Sequence, residues 1–62
     1  MLVYRAYWVN RSGRIVGRTE LLCENDEDAI RQAIELAQVH SVELWRKDNF
    51  IARFEGFLSS DV

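Results

Sequence analysis

Few side chains in this 62-residue chain could carry out covalent or acid–base chemistry, and their spacing keeps them apart. Cys23 ends a strand-like run two residues before Asn25, a helix N-cap, where the helix dipole could activate a thiol. The competing reading, a small buried apolar residue, is preferred. His40 is the sole histidine, which excludes a histidine metal cluster and any histidine pair. It follows the expected helix C-terminus, where a cation or a carbonyl-capping donor is favoured, so a capping or surface role is expected. A Cys–His nucleophile pair would need Cys23 and His40 together, yet a whole helix separates them by roughly 20 Å at 1.5 Å per residue. Glu24, Asp26, Asp28 and Glu35 imitate a calcium loop, but Ala29 stands where the central glycine belongs. Acids in the first turn of a helix explain that run better. No glycine-rich phosphate loop, CxxC or GxSxG elbow occurs. The expectation is no catalytic residue, no cofactor and no metal site; an active site assembled across a dimer interface is the enzymatic alternative.

The remaining constellation is aromatic and basic: Tyr4, Arg5, Tyr7, Trp8, Arg18, Trp45 and Arg53. An open sheet carrying aromatics and arginines can stack single-stranded nucleic acid. The same residue types are enriched in protein–protein contacts. A general nucleic-acid binder should carry a basic excess, and the formal net charge here is −2. Positions 1–19 hold four arginines and no acid, whereas positions 20–28 hold five acids and no base. Protein contact is therefore the preferred use. The candidate interface is Tyr7, Trp8, Trp45, Arg5 and Arg53, with plain core packing expected for about half of the aromatics.

The elements that must position these residues are legible from periodicity. Positions 25–38 read NDEDAIRQAIELAQ, with Ile30, Ala33, Ile34 and Ala37 at i, i+3, i+4 and i+7 on one helical face. Asn25 is the N-cap, Asp28 the acidic member of a capping box, and Asp26, Glu27 and Asp28 meet the positive end of the helix dipole. Glu27–Arg31 and Arg31–Glu35 have the spacing of i,i+4 ion pairs. On either side lie two strand-like runs. Leu2 to Val9 alternates Leu2, Tyr4, Ala6 and Trp8 against Val3, Arg5, Tyr7 and Val9. A turn at 10–13 leads into Arg14 to Cys23, where Gly17 marks a bulge or a close backbone approach. Ser41 to Arg46 and Phe50 to Glu55 form a second hairpin, with Phe50, Ala52 and Phe54 on one face and Asn49 as the left-handed loop residue. The order β-β-α-β-β predicts an α+β fold: a four-stranded, mostly antiparallel sheet with one helix packed on one face, in strand order 2-1-3-4. Positions 1–62 read as a single domain, with 57–62 a loose tail.

Size sets a further constraint. A chain this short buries only roughly 60% of its unfolded surface, and its single cysteine offers no internal disulfide. Yet 48% of its residues are apolar, and one helix cannot cover both faces of four strands. Burying an additional 500 Å² or so of apolar surface per chain would contribute on the order of 12 kcal/mol before association costs. Self-association, as a homodimer through the uncovered sheet face or an edge strand, is therefore expected. No run approaches the roughly 18 apolar residues of a membrane span, and MLVYRAYWVNR lacks the features of a signal peptide. One unpaired cysteine fits a reducing compartment, so a cytoplasmic location is expected.

Five short stretches, Tyr4–Trp8, Gly13–Val16, Asn25–Asp28, Val42–Trp45 and Ile51–Phe54, resemble a set of very short alphaproteobacterial proteins. These share a YRAYW-type opening, a glycine turn followed by Ile-Val, an acidic helix start and a VELW strand. The resemblance spans most of positions 4–54 and implies the β-β-α-β-β fold. It implies no activity, and so supplies no catalytic residue. The chain departs from that pattern after the helix, where Gln38-Val39-His40 stands in place of an expected glycine and calls for a different helix exit.

Overall fold

The computed structural model describes residues 1–56, so the expected tail at 57–62 lies outside the described residues. The chain folds in the order β1 (Leu2–Val9), β2 (Ile15–Cys23), α1 (Asp26–Leu36), β3 (Ser41–Arg46) and β4 (Asn49–Phe54). One antiparallel sheet of order β2-β1-β3-β4 results, with α1 across one face, the arrangement the sequence pattern predicts.

The helix begins at its intended cap. Asn25 is extended (φ −158°, ψ 178°), and its side chain accepts from the Asp28 backbone N–H at 2.8 Å. Arg31 does not take up the i,i+4 pairs suggested by spacing. Its Nη2 donates to Asp28 Oδ1 at 2.7 Å, one turn nearer the N-terminus. The buried stripe also differs from the expected one. Ala29, Ala33 and Ala37 are buried, Ile30 and Leu36 flank them against the core, and Ile34 is 46% exposed. The helix is turned by roughly 50° from the expected orientation, at 100° per residue. The reason is volume. The sheet face below supplies the bulk, Tyr4, Val42 and Leu44 being among the largest fully buried side chains, so the helix presents its smallest residues there.

Two bulges break the strand alternation. In β2, Trp8 opposes Gly17 while Val9 opposes Ile15, which leaves Val16 extra. Gly17 lies under the Trp8 ring, where an added Cβ would come within 3.0 Å of Trp8 Cε3, so the sequence signal for both a bulge and a close approach is met here. In β4, Leu44 opposes Ala52 while Trp45 opposes Phe50, which leaves Ile51 extra. That insertion carries Phe50 off the face of Ala52 and Phe54, where simple alternation puts it, and turns Ile51 toward the core instead.

Turns and the helix exit complete the frame. Asn10 Oδ1 accepts from the backbone N–H groups of Ser12 (2.9 Å) and Arg14 (3.0 Å), and Gly13 supplies φ +83°. In the second hairpin the left-handed residue is Lys47 (φ 55°), not Asn49, because Asn49 is already paired with Arg46. Without a glycine after the helix, side chains close its last turn. Trp8 Nε1 donates to the Leu36 carbonyl at 3.2 Å, Gln38 Nε2 to the Glu35 carbonyl at 3.2 Å, and the Ala37 N–H bifurcates to Ala33 and Ile34. Gly56 passes this exit so closely that a Cβ there would lie 2.5 Å from the Val39 carbonyl oxygen.

Two stability predictions follow from this frame. A lysine held in the left-handed region costs about 1 kcal/mol, so Lys47→Gly should raise the urea midpoint by an amount equivalent to roughly 0.5 kcal/mol; an unchanged or lower midpoint would count against the turn. Asp28 is held below the ordinary carboxyl value near 3.8, first by its hydrogen bond from Arg31 and then by that from Gln32, against some desolvation. A depressed folded-state value gives stability that is present above 3.8 and is lost as pH falls through the folded value. Asp28→Asn should therefore lower stability at neutral pH and flatten its decline below about pH 4, as read by urea titration at each pH.

Candidate functional site

The sheet face opposite the helix gathers most of the residues singled out from the sequence. Strand register arranges them in rows that run across the sheet from β2 to β4. One row is Glu20, Arg5, Trp45 and Phe50; the next is Arg18, Tyr7, Glu43 and Arg53. Val3 and Leu22 extend the face at one end, and Val9 and Ser41 at the other. Of the five candidate interface residues, Arg5, Tyr7, Trp45 and Arg53 share this surface. Trp8 does not: strand alternation sends it to the helix side, where it covers Gly17 and caps α1. Tyr4 goes to the same side and is fully buried.

The open face is wired within itself. Trp45 and Phe50 meet edge to face, centroids 5.4 Å apart at 72°, and Phe50 remains 52% exposed. Trp45 Nε1 donates to Glu43 Oε1 at 3.3 Å. Arg53 reaches Glu43 at 3.6 Å and Glu55 at 3.3 Å, and Arg5 approaches Glu20 at 3.9 Å. Ser41 Oγ donates to Glu55 Oε1 at 3.3 Å. Among the described residues, the charges on this face are Arg5, Arg18 and Arg53 against Glu20, Glu43 and Glu55, three positive and three negative, a sum of zero. Exposed pairs of this kind contribute about 0–1 kcal/mol each; their larger effect is on the pattern of potential over the face.

Phe50, Arg18 and the three glutamates are the members of this surface that the sequence-based candidate interface omits. Phe50 could not be found by alternation, since the β4 bulge reverses its side. Arg18, Glu20 and Glu43 carried a signal, the alternation itself, which places them on the same side as Arg5 and Tyr7 once the strand order is known.

The residues with reactive groups lie elsewhere. Cys23 is fully buried, and its thiol is pushed up by burial and then by the Asp28 carboxylate, partly offset by Arg31. The helix start therefore does not activate it, and the small-apolar reading holds. His40 is exposed and lines a recess of about 740 Å³ with Val9, Ser41 and Arg53, beyond the opposite end of α1 from Cys23. The Leu36 and Glu35 carbonyls at the helix end accept from Trp8 and Gln38 instead. At the helix start, the buried Tyr4 hydroxyl donates to Asp26 Oδ1, and Arg46 lies 3.7 Å from the same oxygen. Burial raises the Tyr4 value, the Asp26 bond raises it further, and Arg46 offsets part of this, so the phenol stays protonated as a donor that ties β1 to α1.

Among the described residues, no three His, Cys, Asp or Glu side chains converge as metal ligands, and no helix is long and apolar enough to cross a membrane. No protein-family model, curated protein or solved structure matches the chain.

The Cys23 environment is directly measurable. In the native protein a thiol reagent at pH 8 should label Cys23 at least roughly tenfold more slowly than in denaturing urea, because access requires an opening of the core. Equal rates would show that the thiol is not enclosed as described.

Proposed function

We propose that the chain is a small non-catalytic interaction module that works in the cytoplasm as a homodimer or as a subunit of a protein complex. Its contacts lie on the part of the sheet that α1 does not cover. One observation carries this reading: the face opposite the helix holds the Trp45–Phe50 pair beside rows of alternating charge that sum to zero. Aromatic and arginine side chains in a balanced charge pattern suit a protein surface of similar make-up. A polyanion would find as many carboxylates as guanidiniums, and three of those carboxylates already engage Arg5 or Arg53. The resemblance to very short alphaproteobacterial proteins agrees with a bacterial origin and adds no activity to this reading.

Sedimentation equilibrium at micromolar concentration should report about twice the 7.3 kDa chain mass. A monomer with native circular dichroism under those conditions would overturn the homodimer reading. Trp45 reports on the open face, whereas Trp8 lies beneath the helix end. Single-stranded oligonucleotide at low salt should therefore leave the Trp45 emission of a Trp8→Phe variant unchanged. A salt-sensitive quench would instead favour nucleic acid as the ligand.

A further inference from the structure

The homodimer reading leaves open which part of the uncovered sheet meets the second copy, and β2 carries the information to decide it. Among the described residues β2 is an edge strand, with β1 on one side and no strand on the other. It is nine residues long and contains neither proline nor lysine, two common means of blunting an edge, and its bulge at Val16 lies near its start, away from Thr19. Three of its apolar side chains are open to solvent: Ile15 is 61% exposed, Val16 51% and Leu22 62%. The strand alone does not identify its partner; its charge pattern does.

We propose that two copies join edge to edge along β2, antiparallel, with the two-fold axis at Thr19. Two antiparallel strands related by a two-fold perpendicular to the sheet place opposite residues on the same face. With the axis at Thr19, Arg18 faces Glu20 of the second copy and Glu20 faces its Arg18, so two opposite-charge pairs flank the axis. Thr19 meets its own counterpart, and on either side the regular pairing ends where Leu22 comes alongside the bulged, apolar Val16 of the second copy. Opposite charges, apolar pairs and Thr–Thr contacts are each favourable cross-strand neighbours. Moving the axis one residue either way sets Arg18 against Arg18 or Glu20 against Glu20, so charge fixes the register. Arg5 is only 3.9 Å from Glu20, both side chains more than half exposed, which leaves Glu20 able to engage a second guanidinium. A shallow depression lined by Arg5, Arg18, Thr19 and Glu20 lies where the axis passes. The product is an eight-stranded sheet with both helices on one side and both open faces joined into one surface.

This inference rests on the homodimer reading, and charge reversal separates the two. Arg18→Glu and Glu20→Arg should each weaken self-association at least roughly tenfold, since each sets two like-charge pairs beside the axis. An equimolar mixture of the two variants should recover the dimer, because every 18–20 contact between them is again Glu against Arg. Thr19→Cys should form a covalent dimer under mild oxidation, whereas Leu21→Cys should not, its two copies lying about 13 Å apart along the strands. If both single variants remain dimeric and Thr19→Cys fails to cross-link, the β2 edge is excluded. Loss of the dimer in Trp45→Ser/Phe50→Ser would then assign the contact to the open face and leave the homodimer standing. A folded wild-type monomer would remove both readings.

Discussion

The seating of α1 on three alanines is the contact on which the other features depend. Ala29, Ala33 and Ala37 give the helix a smooth face, so it settles against Tyr4, Val42 and Leu44 instead of being held off by its own isoleucines. Once it is seated this way, Ile34 turns outward and Leu36 turns in. The same seating brings the last turn within reach of Trp8, whose indole N–H takes over the capping that a glycine motif would otherwise provide. At the other end it sets the Asp26 carboxylate over the Tyr4 hydroxyl. Both ends of the helix are thus fastened to the same strand, β1, by side chains from its helix-facing row.

That arrangement commits the bulky half of β1 to the interior and leaves the other half outside. Arg5 and Tyr7 face away from the helix because Tyr4, Ala6 and Trp8 face toward it; in a strand the two sets cannot be chosen separately. The outer face is consequently not a region that packing failed to fill. It carries a repeated pairing of arginine with glutamate across neighbouring strands, and a tryptophan whose N–H is bonded to one of those glutamates. On such a surface, like charges set in opposition would be penalised more than matched ones are rewarded.

The reactive side chains fit the same logic. Cys23 is needed as volume beneath the first turn of the helix, and its burial works against the thiolate. Asp28, the one carboxylate among the described residues held clearly below its ordinary range, serves the helix start by accepting from Arg31 and Gln32, while its backbone N–H donates to Asn25. The polar side chains at the helix start join elements of the fold to one another, and the exposed rows of charge are on the sheet.

Local pattern determined much of this protein. Periods of two and 3.6, the Asn25 cap and the turn residues specify β-β-α-β-β, because each depends only on residues a few positions apart. The expectation of strand order 2-1-3-4, and of one face left uncovered, follows from those elements and from their number. Tertiary structure decided three further matters. The helix rotation was set by the volume of Tyr4, Val42 and Leu44 on strands far away in sequence, so Ile34 could not be recognised as outward-facing from its own segment. The side on which Phe50 lies was set by the Ile51 bulge, a mismatch between two strands that neither strand shows alone. Alternation already sets Trp8 on the side opposite Arg5 and Tyr7, but what it meets there was decided by the fold: a helix end 28 residues later in the chain, where its indole N–H donates to the Leu36 carbonyl. In each case the deciding partner is remote in sequence, and only folding brings it into contact.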